Sequence, residues 1–464
     1  MFRQRLLWII LALTVFLVYF ASSNGIVSSN DGSHTALLLA IVEDGSFSID
    51  KYRGLARELD YAEYDGRVYS DRPPGTALLT VPFYVLLRWA GHRWFTDPDH
   101  FILVGLSLVP ALFGAASVLM VGATARLGGA RFIWGLLAAV VYAFGTVQWR
   151  YGSALFSHGI SAFFMLSIVF IVLRTEIRNR PLTAGGKALL GFLLGYALMV
   201  DYANAVGVFL ASLFVWWRGL AGRGDGVVKR WAPLAAAAAV PVAFLLAYQW
   251  ICFGSPFSTS YSHHAQFLFY RKGLEVFSNN PLRGWANFFL VEIMNKNPDY
   301  WGADGGVVYT VLSTSPLLLL AFYGLFLFRR SHPAAGAFLM GTVFLGITVI
   351  SLHKTYWGGP GTADTRYILP WIVLLAPAVA WALQDLWARL PRAGRRPAAA
   401  VLGVLFVFTV FQHLRMQANF LDHDVEGVPF EPKSFTGDLR QIDRVWDHAF
   451  GLPEHVRGLA GKLK

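Results

Sequence analysis

Apolar runs of roughly membrane-spanning length recur along nearly the whole sequence, and the segments between them are of two alternating kinds. One kind is short and rich in arginine; the other is longer and carries Asp, His, Trp and Tyr. A helix needs roughly 20 apolar residues to cross the hydrocarbon core, and arginine and lysine are retained on the cytoplasmic side. The pattern predicts an all-α polytopic membrane protein with about eleven spans. They cover residues 6–22, 101–125, 132–149, 158–173, 188–200, 203–217, 231–253, 313–328, 334–352, 367–386 and 398–413. Arg3 and Arg5 precede the first run, which looks superficially like a signal peptide. With no convincing small-x-small cleavage site after it, it reads as an uncleaved span with a cytoplasmic N-terminus.

From that start, the inner loops hold Arg126 and Arg131; Arg174, Arg178, Arg180 and Lys187; Arg218, Arg223, Lys229 and Arg230; Arg329 and Arg330; and Arg389, Arg392, Arg395 and Arg396. Their acids are Glu176 and Asp225, with Asp385 at a span end. The apolar run 76–90 is left out of the count. As a span it would carry Arg126 and Arg131 outside and invert every later loop. It is short and begins at Pro73-Pro74, so it reads as an interfacial or re-entrant helix. The resulting organisation is a transmembrane domain over 1–413, with outer loops 23–100 and 254–312, then an extracytoplasmic tail over 414–464. The two shortest runs, 188–200 and 203–217, could form a hairpin with Asp201 and Asn204 at its tip.

Composition supports this reading. Charged residues make up 14% of the chain, against about 25% in soluble domains, because ionised groups are costly in hydrocarbon. The 16 tryptophans suit anchoring at two bilayer interfaces. The net charge of +11 lies in the short loops, which argues against a nucleic-acid partner. A single cysteine, Cys252, excludes an intramolecular disulfide and a Cys-rich metal centre. No HExxH and no P-loop is present, and Asp422-His423-Asp424 is discounted as a chance D-x-D. The expectation is no metal ligands and no required cofactor; a divalent metal is possible but unsupported.

The candidate chemistry concentrates in the outer loops. Asp31, just after the first span, reads either as a general base or as a helix N-cap. His34 follows it as a polar helix residue. Arg72 precedes Pro73-Pro74; proline is tolerated at a helix start, where anions are welcome. Arg72 therefore reads as part of a phosphate site or as a snorkelling side chain. His158 and Asp201 sit at outer span ends, as functional groups or as interfacial caps. His263, His264, His353, Lys354, Asp364 and Arg366 also fall outside, as do Tyr356 and Trp357 in a YWGG stretch. Such loops suit carbohydrate, whose C–H faces lie on aromatic rings and whose hydroxyls bond to carboxylates.

In order and spacing, these residues resemble the GT-C superfamily of membrane glycosyltransferases. The similarity is to the family 39-like branch of protein O-mannosyltransferases and lipid A aminoarabinose transferases. That branch has an acid after the first span, matched by Asp31; a basic-Pro-Pro motif, matched by Arg72-Pro73-Pro74; and a second polar residue at the outer start of the fourth span, matched by His158. The family's usual Asp-Glu pair is Asp31-Gly32 here, and its second Asp is His158. The resemblance implies a polyprenyl-phosphate sugar donor and a glycan, lipid or protein acceptor. It also implies an active site facing outward from the bacterial inner membrane. Asp31 would be the base, and Arg72, Lys354 and Arg366 would hold the donor phosphate. His34, His158, Asp201, His263, His264, Tyr356 and Trp357 would line the substrate site. A transporter or flippase, or a non-catalytic scaffold, for lipid-linked sugars is the alternative.

Overall fold

The structure, a computed structural model, describes residues 2–23, 25–222, 226–290, 309–354 and 364–420. Tyr356, Trp357, the Asp422-His423-Asp424 triplet and the rest of the tail from 421 lie outside the described residues, as does 291–308 of the second outer loop.

Helix α1 (Phe2–Ala21) is followed by α2 (Ser29–Glu43), a 3₁₀ stretch Asp50–Ala56, and strands β1 (Tyr61–Tyr64) and β2 (Arg67–Ser70). Then come α3 (Gly75–Trp94), α4 (Pro98–Gly105), α5 (Leu108–Leu127), α6 (Phe132–Phe144), α7 (Gln148–Gly152), α8 (Ser157–Arg178), α9 (Ala184–Val200), α10 (Ala205–Arg218) and α11 (Val227–Phe253). Two short 3₁₀ stretches precede α12 (Pro281–Phe289) and α13 (Val311–Thr314); α14 (Leu320–Ser331), α15 (Pro333–Leu352), α16 (Leu369–Arg389) and α17 (Arg392–Phe420) complete the order.

Among the described residues, 7 stretches are long and apolar enough to cross a membrane: α1, α4 with α5, α8, α11, α15, α16 with the turn before it, and most of α17. The protein is a polytopic helical membrane protein. The remaining expected runs coincide with α6, α9, α10 and α14, which are shorter. The chain breaks after α9 at Asp201, whose carboxylate accepts from the Ala203 N–H at 3.0 Å, so α9 and α10 end where the sequence places the hairpin tip.

Helix α16 is buried on every face from Leu369 to Leu383, the mark of a central helix. It packs against α5, α6, α8, α14 and α15. Small residues allow the close approaches. A Cβ at Gly324 would lie 1.8 Å from the Ala378 carbonyl oxygen, and one at Gly191 on α9 would lie 2.1 Å from that of Leu234 on α11. Span ends expected on one side of the membrane meet. Gln417 near the end of α17 donates to the Ser22 carbonyl and to the Ser153 hydroxyl, both at 2.8 Å. At the other end Trp381 Nε1 donates to the Ala125 carbonyl at 2.8 Å.

The all-α expectation has one local departure, and it matters for the site. Within the first outer loop, β1 and β2 form an antiparallel hairpin with Tyr61 opposite Ser70 and Tyr64 opposite Arg67. Its turn is Asp65-Gly66, both with positive φ (50° and 72°), the Asp-Gly pairing that a tight two-residue hairpin favours. Because Tyr61 pairs with Ser70, the next residues outward, Asp60 and Asp71, are brought together at the hairpin's open end. An isolated bridge between Ala62 and His264 ties the second outer loop to the same place.

Candidate active site

Arg72 emerges directly from β2 and lies deep in the protein. Its Nη2 is 3.1 Å from Asp60 Oδ2 and its Nε 3.1 Å from Asp71 Oδ2. The backbone around it is pinned. Ser70 Oγ accepts from the Arg72 N–H at 3.1 Å, and the Ser260 hydroxyl donates to the Asp71 carbonyl. Pro74 caps α3, and Gly75 then touches the end of α9: a Cβ there would lie 2.5 Å from the Met199 carbonyl. The Tyr196 hydroxyl donates to the Gly75 carbonyl at 3.0 Å. Glycine at 75 is therefore what seats Arg72-Pro73-Pro74 against the α9 tip that bears Asp201.

Burial raises the Asp71 carboxyl, but the Arg72 charge, the nearby His264 and the Ser33 hydrogen bond overcome it and hold the group below the usual range. Ser33 Oγ donates to Asp71 Oδ1 at 3.0 Å and lies 2.8 Å from Ser70 Oγ, joining α2 to the cluster. The next residue, His34, is fully buried and neither ring nitrogen has a hydrogen-bond partner among the described residues. Burial and then the Arg72 charge push its pKa down to about 3, against the pull of Asp71, so the imidazole is neutral. His158 at the start of α8 is likewise buried, and neither ring nitrogen has a partner among the described residues. Its ring centroid is 5.2 Å from that of Tyr367 and 5.7 Å from that of Tyr151. An imidazole has two ring nitrogens able to hydrogen-bond, so His34 and His158 add to the Arg72 cluster four such atoms with no partner among the described residues.

Arg366 is held from behind. Its N–H donates to Asp364 Oδ1 at 2.9 Å, and its guanidinium lies 4.6 Å from the Tyr367 ring centroid. Asp364 also accepts from the Tyr151 hydroxyl at 2.8 Å and pairs with Arg150 at 3.4 Å, all in the interior. An aromatic wall completes the arrangement: Tyr202, Tyr261, Tyr270 and His353 follow one another at centroid distances of 5.7, 4.9 and 5.5 Å.

The chain superposes on ArnT from Cupriavidus metallidurans bound to undecaprenyl phosphate with a TM-score of 0.50 at 14% identity, covering 96% of this chain and 74% of that one. The apo state of the same protein gives 0.50 at 15% identity over the same shares. The chain shares the fold of ArnT. The oligosaccharyltransferase of Archaeoglobus fulgidus overlaps at 0.48 and 12% identity, over 95% of this chain and 59% of that one. No family model matches the sequence, and no curated protein matches it.

Within this fold the expected site residues divide. Arg72, His34, His158, Asp201, His264 and Arg366 converge at one end of the helical bundle. Asp31 is differently placed. Its Oδ2 accepts from the Val27 N–H and its Oδ1 from the Ser28 N–H, each at 2.8 Å, closing a capping box with Ser28 at the start of α2. Asp31 therefore caps the helix, from its third position, one turn inside the helix rather than ahead of it. Burial raises its pKa to about 6, with these hydrogen bonds and then the Arg57 charge partly offsetting. Pro73 likewise lies ahead of α3, whose N-cap is Pro74. His263 turns away: it lies 2.8 Å from Ser258 Oγ through Nε2 and stacks on Phe253. Lys354, at the end of α15, donates its N–H to the Val276 carbonyl at 2.9 Å.

Asp60, Asp71 and Arg150 are the residues that sequence reasoning missed. Asp60 lies in an ordinary Leu-Asp-Tyr stretch, and only the Asp-Gly hairpin turn signalled that it would meet Asp71. Asp60, Asp71 and His264 bring three possible ligand atoms within 4.8 Å of one another, close enough for a metal ion. The donor set fits one poorly. Arg72 already lies against both carboxylates. His264 Nδ1 accepts from the Gln266 and Phe267 N–H groups at 3.3 and 3.1 Å, which places the proton of the neutral ring on Nε2, the nitrogen 3.6 Å from Asp71. The cluster reads as an ion-pair network that orients Arg72.

Proposed function

We propose that this protein is an inverting membrane glycosyltransferase. It takes a sugar from a polyprenyl-phosphate donor and passes it to an acceptor hydroxyl at the outer face of the bacterial cytoplasmic membrane. The observation that carries the proposal is Arg72, a largely buried guanidinium fixed at the hairpin's exit beside His34 and His158, whose ring nitrogens have no hydrogen-bond partner among the described residues. The GT-C fold supports the reading, since ArnT from Cupriavidus metallidurans, which shares the fold, was crystallised with undecaprenyl phosphate.

In this scheme the departing lipid phosphate is received between Arg72 and Arg366, with His158 beside them as a hydrogen-bond donor and Lys354 at the rim. The bond from the anomeric carbon to the phosphate oxygen breaks as the acceptor oxygen bonds to the opposite face of that carbon, which inverts it. The acceptor proton passes to a carboxylate. Asp31 keeps the base role by its position after the first span and its raised pKa, although the same carboxylate caps α2. His34, His264 and Asp201 orient sugar or acceptor, and the tyrosine wall covers the sugar's apolar face.

The test is turnover by purified protein in nanodiscs supplied with a panel of polyprenyl-phosphate sugars, scored as release of free polyprenyl phosphate. Arg72→Ala should lose about 10²–10³ in rate, the usual cost of removing one group that stabilises developing charge. An Arg72→Ala protein that stays folded and turns over at the parental rate would falsify the assignment.

A further inference from the structure

At the end of the bundle away from Arg72, three inter-helix turns converge on a cavity of about 910 Å³. They are the α5–α6 turn with Arg131, the α14–α15 turn after Arg330, and the α16–α17 turn between Arg389 and Arg395. Its size falls within the roughly 300–1,000 Å³ of small-molecule sites. Four arginines line it against one carboxylate, Asp385. That carboxylate is already engaged: Arg389 Nε donates to it at 2.7 Å and the Tyr323 hydroxyl at 2.6 Å. Arg395 lies 6.0 Å from the Trp387 ring centroid, and Trp387 packs at 5.7 Å against Trp134. The cavity thus offers the guanidinium groups of Arg131, Arg330 and Arg395 with no carboxylate partner among the described residues, beside two tryptophans that suit a membrane–water boundary.

We propose that this cavity binds a phosphate monoanion or diester, and that its occupant is the headgroup of an anionic phospholipid in the leaflet opposite the candidate active site. Guanidinium forks match phosphate oxygens in pairs, and the cavity walls are the very ends of membrane-crossing helices, where a lipid headgroup sits. The assignment does not depend on the glycosyltransferase reading, because no residue is shared between the two ends.

The experiment is a titration of the full-length protein, in a zwitterionic detergent, with short-chain phosphatidylglycerol, short-chain phosphatidylcholine and inorganic phosphate, followed by native mass spectrometry and by the melting midpoint. The expected result is saturable binding of phosphatidylglycerol, at least tenfold tighter than phosphatidylcholine, that weakens at least tenfold in the double variant Arg330→Gln, Arg395→Gln. The charge-matched variant Arg178→Gln, Arg180→Gln, altered outside the cavity, should bind as the parent does. Inorganic phosphate binding as tightly as phosphatidylglycerol, and lost in the same double variant, would keep the phosphate site but assign it to a soluble anion and overturn the lipid. Equal binding of both lipids, or equal weakening in the two double variants, would overturn the site itself.

Discussion

Arg72 stands in two relations at once: to a departing anion by the proposal, and to Asp60 and Asp71 by contact. Removing it leaves two buried carboxylates facing one another, a change of the kind that costs about 3–5 kcal/mol. Arg72→Lys is therefore the sharper variant. It should keep most of the fold's stability while losing the two-pronged geometry, and its turnover should fall between those of the parent and of Arg72→Ala. Asp31 gives a pH prediction. Its folded pKa of about 6 lies above the unfolded value. Its contribution to stability therefore falls as pH rises from about 4 through about 6. If it is the base, the rate should fall on the acid side of pH 6, and Asp31→Asn should abolish that limb. If it is only a cap, Asp31→Asn lowers the melting midpoint while turnover per folded molecule is unchanged. Gly32 has a packing explanation: a Cβ there would lie 1.8 Å from the Leu55 carbonyl oxygen. Gly32→Ala should destabilise by about 1–3 kcal/mol, measured by thermal melting. Arg72, His34 and His158 were legible in the sequence because charge next to proline, or histidine at a span edge, is conspicuous. Asp60 was not legible, since its role exists only through a partner eleven residues on.

The elements were largely legible because hydrophobic length and loop charge are strong signals over twenty residues. The α3 helix was anticipated in place. The β-hairpin ahead of it was not, because its strands are four residues each and its polar faces resemble any outer loop. What the sequence could not convey is closeness between helices. The contact of α9 with α11 rests on Gly191 and Gly195, where added Cβ atoms would lie 2.1 and 2.6 Å from the Leu234 and Ala238 carbonyl oxygens. Gly191→Leu should push these helices apart and, through the α9 tip at Gly75, shift Arg72. The expected outcome is a lower melting midpoint together with lost turnover, whereas Leu189→Ala on the exposed side of α9 should change neither.

Across the whole molecule the two ends differ in chemistry. One gathers acids, histidines and tyrosines around Arg72 and Arg366; the other gathers arginines and tryptophans around the cavity. In the proposed topology the first faces outside and the second the cytoplasm. In a Cys252→Ser background, Asp65→Cys should react with a membrane-impermeant maleimide in intact cells, and Arg180→Cys only after lysis; the reverse pattern would invert the topology. The most direct measurement remains release of polyprenyl phosphate from lipid-linked sugars by the protein in nanodiscs. The expected result is release that depends on the sugar donor and drops about 10²–10³ in Arg72→Ala molecules shown to be folded. Binding of the donor with no release from any member of the panel would contradict it and point instead to a carrier or scaffold for such lipids.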